Sequence, residues 1–326
     1  MAWKLGDTMP TLKFNHSILE YLHKIKDVKY DSKDWEERMP SIGCVVEEND
    51  SKGIEIEIFP DRTDLLSHET ISRAARAFLN SVSDSPELEI GQGEINVDVD
   101  KTLEKIRPVI LGAVVRGVDN GTSLKEKDEF IQSLMDHQEK LHLTLGRKRK
   151  FASIGVHDLS QLSPPFKVIS VDKKYKFIPL AEEKEMSIED ILELHPKGKE
   201  YAHLMSDMET YPVIIDSEDK VLSFPPIING DHTTVNEQTR DFFIDVTGWD
   251  ERSCEACLLL VCLSLAERGG EIESIQIKNW DQELLTVPRG DSKNHKVPDR
   301  LIRNILGVEL SKTEIANSIK KMGGEL

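Results

Sequence analysis

Long apolar runs and secretion signals are both lacking in this chain of 326 residues. The most apolar stretch, residues 258–266, is far shorter than the roughly 20 residues that a membrane-spanning helix needs. The N-terminus has no basic segment followed by an apolar run and a small-residue cleavage site, so we find no secretory signal. We therefore expect a cytoplasmic protein with no membrane partner.

Cysteine is scarce as well, with four in the whole chain. Cys254, Cys257 and Cys262 share one stretch with a helical, apolar pattern. A structural zinc site normally needs a second pair of ligands, which the sequence does not offer. Free cysteine in such a setting behaves as a small apolar residue. We predict that these three thiols are buried, form no disulfide and hold no metal.

Positive charge is also in short supply. The chain has 42 Lys and Arg against 59 Asp and Glu, which gives a formal net charge of −17. This charge excludes nonspecific binding of nucleic acid over the whole protein surface, because such binding is carried by cations that neutralise phosphates. The densest basic patch is at residues 147–150. A solvated turn after a helix is an equally good interpretation of that patch.

Common catalytic motifs are missing. The sequence Gly91-Gln92-Gly93 lacks the third glycine and the strand–loop–helix context of a phosphate-binding loop. There is no Gly-x-Ser-x-Gly elbow, and no histidine pair has metal-ligand spacing. We predict structural or surface roles for the scattered histidines His142, His157, His195, His203 and His232.

The periodic patterns indicate a multidomain chain that mixes α/β and α+β structure. Residues 1–85 are predicted to form a small N-terminal α+β unit. Ser17 and Glu20 have the spacing of a capping box, and Ser67 can cap a second helix. The polar residues 81–93 are predicted to be the exit linker of this unit.

The rest of the chain carries mixed patterns. Strands and helices alternate irregularly over residues 95–277, which predicts a central mixed α/β domain. Within it, Asp250 should cap a long apolar helix and residues 272–277 should form one strand. Residues 278–326 are too few to bury a core of their own, so we interpret them as the first part of a following, truncated α+β domain.

A rigid segment stands out at residues 221–230. Pro225 and Pro226 fix the backbone and remove two N–H donors, which excludes a helix interior or a central strand. The segment suits the wall of a ligand pocket, because rigidity lowers the entropy cost of binding, and it equally suits a tight connection packed on the core. Asp245 and Thr247 follow an apolar run and face the same side of a predicted strand. An ionisable group in such a place needs a partner or a function.

Several long stretches, in the same order along the chain, resemble the β subunit of archaeal and eukaryotic phenylalanyl-tRNA synthetases. They are residues 59–67, 106–108, 138–142, 154–159, 211–214, 222–230 and 243–248. Asp61 departs from the asparagine usual in the family, in a loop that we expect to be structural. The family's next domain continues past residue 326, so we expect an N-terminal fragment rather than a short stand-alone relative.

The resemblance implies a function. In this family the α subunit carries aminoacylation, and the β-subunit domain that matches residues 95–277 hydrolyses tyrosine mistakenly attached to tRNA(Phe). The resemblance places four residues in this editing pocket, namely Ser223, Asn229, Asp245 and Thr247. Asp245 would accept a hydrogen bond from the tyrosine hydroxyl, and the others would position the amino group, the ester or the attacking water. No catalytic residue and no metal site is assigned.

The implied partners are the α subunit, tRNA(Phe) and, as substrate, mischarged Tyr-tRNA(Phe). No cofactor is expected in this chain, since ATP and Mg²⁺ act in the complete ligase. Two alternatives stay open. One is a non-catalytic subunit that docks α and tRNA and has an inactive pocket. The other is a free aminoacyl-tRNA deacylase.

Overall fold

A computed structural model describes residues 11–82 and 88–325 of the chain. The chain divides into two compact units. One contains the residues up to 88 together with those from 290 onward, and the other contains residues 89–289. Among the described residues, no helix is long and apolar enough to cross a membrane.

The N-terminal part of the first unit is a three-stranded sheet accompanied by helices. Its elements are β1 (Thr11–Asn15), α1 (His16–Lys24), α2 (Ser32–Arg38), β2 (Cys44–Asn49), β3 (Gly53–Ile58) and α3 (His68–Asn80). The strand order is β1-β3-β2, and both pairs are antiparallel. Ile54, Ile56 and Ile58 of β3 are fully buried, as expected for an alternating strand with one face on a core.

Capping patterns in the sequence predict two helix starts in this unit. Ser67 accepts a hydrogen bond from the Thr70 backbone N–H and begins α3, which confirms the prediction. The prediction for Ser17 is wrong. Helix α1 begins at His16, two residues earlier than a Ser17 cap would place it, with Asn15 in the N-cap position and no side-chain cap. Strand β1 runs directly into α1, so the end of the strand sets the start of the helix.

The C-terminal residues of the first unit form α8 (Asp299–Leu306) and α9 (Lys312–Lys321). Helix α9 begins with a capping box between Ser311 and Glu314, and its Ile315 is buried. The compact units divide at residue 289, not at 277. Compactness alone does not define a folding domain, so the limits 1–85, 95–277 and 278–326 stay predictions.

The second unit is a mixed α/β fold with two main sheets. Its strands are β4 (Ile90–Gly91), β5 (Asn96–Val99), β6 (Val109–Arg116), β7 (Ala152–Asp158), β8 (Phe166–Val171), β9 (Lys176–Phe177), β10 (Met186–Ser187), β11 (Tyr211–Ile215), β12 (Val221–Phe224), β13 (Ile228–Asn229), β14 (Phe242–Gly248), β15 (Glu271–Glu273), β16 (Ile275–Lys278) and β17 (Leu284–Val287). Its helices are α4 (Leu124–Leu143), α5 (Ile188–Leu194), α6 (Pro196–Tyr201) and α7 (Glu251–Ala266).

The five-stranded sheet has the order β4-β15-β6-β14-β7 and is antiparallel except between β4 and β15. Every residue of β7 and of β14 is buried. Helix α7 packs against β6 and β14, and Asp250 caps it as predicted. Strands covered on both faces carry nearly continuous apolar sequence, so a polar side chain within β14 needs a partner there.

The seven-stranded sheet has the order β13-β12-β11-β8-β5-β16-β17 and contains both parallel and antiparallel pairs. Residues 272–277, predicted as one strand, form two. Strand β15 belongs to the five-stranded sheet and β16 to this one. The chain changes sheet at Ser274, whose backbone N–H donates to the Gly91 carbonyl at 2.8 Å. The predicted mixture of α/β and α+β structure is confirmed.

Candidate functional site

A cavity of about 470 Å³ opens in the second unit. Helix α4, strands β7 and β14, and the segment after β12 contribute to its wall. Most of the lining is apolar and comes from Ile131, Met135, Ile154, Val156, Pro225, Pro226, Ile227 and Ile228. Polar side chains also line the cavity, and the buried carboxylate of Asp245 is one of them.

Asp245 owes its position to glycines on both neighbouring strands. It lies in register with Gly112 of β6 on one side and Gly155 of β7 on the other. A Cβ atom built on Gly155 would lie 2.0 Å from Asp245 Oδ2, much closer than van der Waals contact. The carboxylate therefore occupies space that a side chain at position 155 would fill.

The Asp245 carboxylate is 3% exposed, and one of its oxygens is already engaged. His157 Nε2 donates to Oδ2 at 2.7 Å, and Ser223 Oγ lies 3.5 Å from the same oxygen. The other ring nitrogen of His157 is 2.8 Å from Thr233 Oγ1, which fixes the orientation of the ring. In the described ranges, no group is hydrogen-bonded to Oδ1. That oxygen can accept a hydrogen bond from a ligand in the cavity.

Ser223 and Asn229 lie directly opposite each other on the paired strands β12 and β13, and both line the cavity. The Asn229 side-chain amide lies 3.5 Å from the Val156 carbonyl oxygen. The two prolines between them form part of the cavity wall. Phe224 and Ile227 in the same segment are fully buried. Residues 221–230 therefore form part of the cavity wall and also pack against the core.

Thr247 lies behind the cavity rather than on it. It is fully buried, and Arg107 Nε donates to its hydroxyl at 2.6 Å. Ser153 lines the cavity in front of Thr247, with its Oγ 3.2 Å from Thr247 Oγ1. Burial lowers the pKa of Arg107 to about 10. Thr247 therefore supports the wall by holding Arg107 and Ser153.

Arg149, a member of the predicted basic patch, is a buried anchor of the cavity wall. Its Nη1 donates to the carbonyl oxygens of Pro226 at 3.2 Å and Ile227 at 3.0 Å. Its Nη2 donates to Glu139 Oε2 at 3.0 Å. The interpretation of residues 147–150 as a solvated turn is wrong for Arg149, although the other three residues are exposed.

His142 joins helix α4 to strand β7 at the edge of the cavity. Its Nε2 accepts the Ile154 backbone N–H at 2.8 Å, so its Nδ1 carries the hydrogen and donates to Glu139 Oε2 at 3.3 Å. Burial lowers the pKa of His142 to about 4, which keeps the ring neutral. The same hydrogen bond holds the pKa of Glu139 well below its usual range.

Sequence reasoning missed the histidines around the cavity. His142 and His195 line it, and His157 is bonded to Asp245. The only signal was that Ser153, Gly155 and His157 alternate along one strand, on one face. That signal has no meaning until β14 is known to be the neighbouring strand, because the partner residues are 88 positions away.

The cavity combines apolar walls with polar side chains, among them Asp245. The predicted burial of Cys254, Cys257 and Cys262 is confirmed, and all three thiols are free. In the part of the chain that the structure describes, no cluster of His, Cys, Asp or Glu could hold a metal ion. Asp245 Oδ1 can accept a hydrogen bond from a group held between the apolar parts of the wall.

Comparison with known proteins identifies the family. Residues 106–257 match the family described as the B3/4 domain. The phenylalanine–tRNA ligase β subunit of Methanosarcina acetivorans is 43% identical over 314 residues, which cover 96% of this chain and 55% of that protein. The crystal structure of an N-terminal fragment of the phenylalanyl-tRNA synthetase β-subunit from Pyrococcus horikoshii matches with a TM-score of 0.87 and 34% identity, over 96% of this chain and 89% of that one. The chain belongs to the phenylalanyl-tRNA synthetase β-subunit family.

This family membership confirms the resemblance read from the sequence. The Methanosarcina barkeri β subunit gives the same picture, with 45% identity over 285 residues that cover 87% of this chain and 51% of that protein. The chain spans about half the length of these curated relatives. The B3/4 match contains Gly155, Ser223 and Asp245, so the cavity lies within the residues matched to that domain.

Proposed function

We propose that the second unit hydrolyses the ester of tyrosine mistakenly attached to tRNA(Phe). In this proposal the chain is the proofreading part of a cytoplasmic phenylalanine–tRNA ligase. Amino-acid activation, with ATP and Mg²⁺, lies on a partner α subunit. Proofreading is needed because a pocket shaped for phenylalanine cannot strongly reject an analogue that merely adds a hydroxyl.

The observation that carries the proposal is the half-satisfied carboxylate of Asp245. His157 holds Oδ2, and Oδ1 has no hydrogen-bond donor among the described residues. A tyrosine ring between the apolar walls would bring its hydroxyl to Oδ1. Phenylalanine in the same place would cover that oxygen without a donor, which costs several kcal/mol. The site would thereby select the amino acid that the activating site fails to exclude.

The chemistry of the proposal relies on positioning. His157 Nε2 is committed to Asp245, so it does not serve as a general base in this geometry. Ser223 and Asn229 lie together on the wall and would orient the ester, the amino group or the attacking water. Holding a water and the substrate's own ribose hydroxyl in line supplies the rate enhancement. Thr247 takes part only through Arg107 and Ser153.

The direct test is deacylation of Tyr-tRNA(Phe) by the purified chain, with Phe-tRNA(Phe) as the matched control substrate. The proposal expects release of tyrosine well above the spontaneous rate and little release of phenylalanine. Binding of tRNA(Phe) without release of either amino acid would support the alternative of a docking subunit with an inactive pocket. Full editing with no affinity for an α subunit would support a free deacylase.

A further inference from the structure

Three exposed cations are sequence neighbours of the cavity-lining Arg149 and have no role in the chemistry above. Arg147, Lys148 and Lys150 are exposed, whereas Arg149 between them lines the cavity. Within the described residues, none of the three has an ion-pair partner. In a chain with a net charge of −17, three unpaired cations on one turn form a local positive field that attracts anions.

The backbone that carries these cations has a defined conformation. Arg147, Lys148 and Arg149 have φ values of 48°, 55° and 64°, a left-handed conformation that L-residues rarely adopt. The Arg149 N–H donates to the His142 carbonyl at 3.2 Å, and Arg107 donates to the Arg149 carbonyl at 3.2 Å. The Arg149 side chain points into the wall and leaves its neighbours at the rim.

Two exposed aromatic rings adjoin the turn. Phe151 is 36% exposed and Trp249 is 46% exposed. Phe151 precedes β7 and Trp249 follows β14 where Ala152 pairs with Gly248, and the Trp249 N–H donates to the Phe151 carbonyl at 3.0 Å. Phe151 lies along the chain between Arg149 and Ser153, both of which line the cavity. The backbones of both rings and of the cations thus adjoin residues that line the cavity.

We propose that these five residues, the rim formed by Arg147, Lys148, Lys150, Phe151 and Trp249, bind the unpaired 3′ end of the aminoacylated tRNA. Proteins hold single strands by combining cations that follow the phosphates with aromatic side chains on which bases stack. This inference rests on the proposed function, because the ester must reach the cavity. Unpaired lysines argue against a protein partner, since protein interfaces are depleted in lysine.

The electrostatic part is tested by the triple variant R147A/K148A/K150A of the full chain. The matched control K101A/K167A/K174A removes three exposed lysines of the same unit that do not line the cavity. The probes are uncharged tRNA(Phe) and the same tRNA with its unpaired 3′ end removed, at several salt concentrations. We expect the rim variant to lower the slope of log affinity against log salt by about 2 for the intact tRNA. The control and the shortened tRNA should show no such change.

The stacking part is tested by F151A/W249A, with L194A as a control at another exposed apolar residue. We expect roughly tenfold weaker binding of intact tRNA and a raised KM for Tyr-tRNA(Phe) with little change in kcat. F151L/W249L should show the same loss, because leucine is apolar but offers no ring. F151Y/W249Y should restore binding. Melting temperatures close to that of the unaltered chain would show that each variant is folded.

Two results would overturn the inference. One is equal affinity of the rim variants and the unaltered chain for both tRNAs. The other is a set of leucine variants that bind tRNA normally but lose affinity for a protein partner. Binding of uncharged tRNA involves no hydrolysis, so this test is separate from that of the proposed function. If the unaltered chain fails to deacylate Tyr-tRNA(Phe) but the variants lose 3′-end binding, only the proposed function is contradicted.

Discussion

Gly155 is the residue on which the position of Asp245 depends most directly. In Gly155→Ala the new Cβ would lie 2.0 Å from Asp245 Oδ2 and 2.6 Å from His157 Nε2, so these side chains must move from their present positions. We expect deacylation of Tyr-tRNA(Phe) to fall about as far as in an Asp245 variant. Overpacking of this kind should also lower the free energy of unfolding by about 1–3 kcal/mol.

The control for this substitution is Gly91→Ala. Position 91 is also in a strand, but the nearest atom to an added Cβ there is the Ile272 carbonyl oxygen at 3.5 Å, an ordinary contact. Deacylation and thermal unfolding of both variants would be measured side by side. Normal editing by the Gly155 variant would show that the spacing between Asp245 and His157 has no bearing on activity.

Single residues of the site differ in how far the sequence reveals them. Ser223, Asn229 and Asp245 were named from the family resemblance, and the structure brings them to one cavity. Thr247 was named with them and lies behind Ser153. His157, Gly155 and Arg149 were missed, because each acquires its role from a strand or turn distant in sequence. Local periodicity contains no information about that pairing.

His142 connects α4 to β7 and should make this connection sensitive to acid. Its pKa is lowered by burial to about 4 from an ordinary value of 6.5. Between these two pH values the unfolded chain binds more protons than the folded one, so stability falls as the pH falls. The contribution is complete above pH 6.5 and declines by about 1.4 kcal/mol per pH unit below it.

The measurement is urea unfolding at several pH values between 7 and 4.5. We expect the dependence on pH to be weaker in His142→Gln than in the unaltered chain, and unchanged in His203→Gln, which alters an exposed histidine of the same unit. His23 in the other unit also has a pKa lowered to about 4 by burial, so only the difference between variants is informative. Identical slopes in all three proteins would refute the role of His142.

Helix starts and strands were predictable where one local signal decides them. Asp250 and Ser67 cap helices as predicted. Each side chain accepts a backbone N–H of the first helical turn, which is a purely local interaction. The signal at Ser17 failed, because a preceding strand sets the helix start. Residues 272–277 carry one continuous strand pattern and yet serve two sheets. Membership of a sheet depends on distant partners, which the pattern of one strand does not encode.

Thiol chemistry gives a test that covers both compact units. All four cysteines are buried, and burial raises the pKa of Cys44 to about 11 and that of Cys254 and Cys262 to about 12. Since the thiolate is the reactive species, we expect almost no reaction with a thiol reagent in the native chain and four equivalents after unfolding. Rapid labelling of the native protein, or stoichiometric zinc in elemental analysis, would be incompatible with this account.

At the scale of the whole molecule, the proposed function requires that Asp245 discriminates tyrosine from phenylalanine in the cavity of a chain with a net charge of −17. Asp245→Ala removes the acceptor at the polar end of the cavity and leaves the walls in place. The control is Asp216→Ala. Asp216 is also buried, but it accepts backbone N–H groups of its own turn and does not line the cavity.

The decisive measurement is the pair of deacylation rates on Tyr-tRNA(Phe) and Phe-tRNA(Phe), with a melting curve, for these two variants and the unaltered chain. In Asp245→Ala, tyrosine loses a hydrogen bond to a charged group, worth about 1.5–3 kcal/mol. Release of tyrosine should therefore fall roughly tenfold or more, while release of phenylalanine stays level or rises. Asp216→Ala should lower the melting temperature without changing the ratio of the two rates. Equal loss on both substrates in Asp245→Ala, together with a lower melting temperature, would contradict the account and reduce Asp245 to a structural residue.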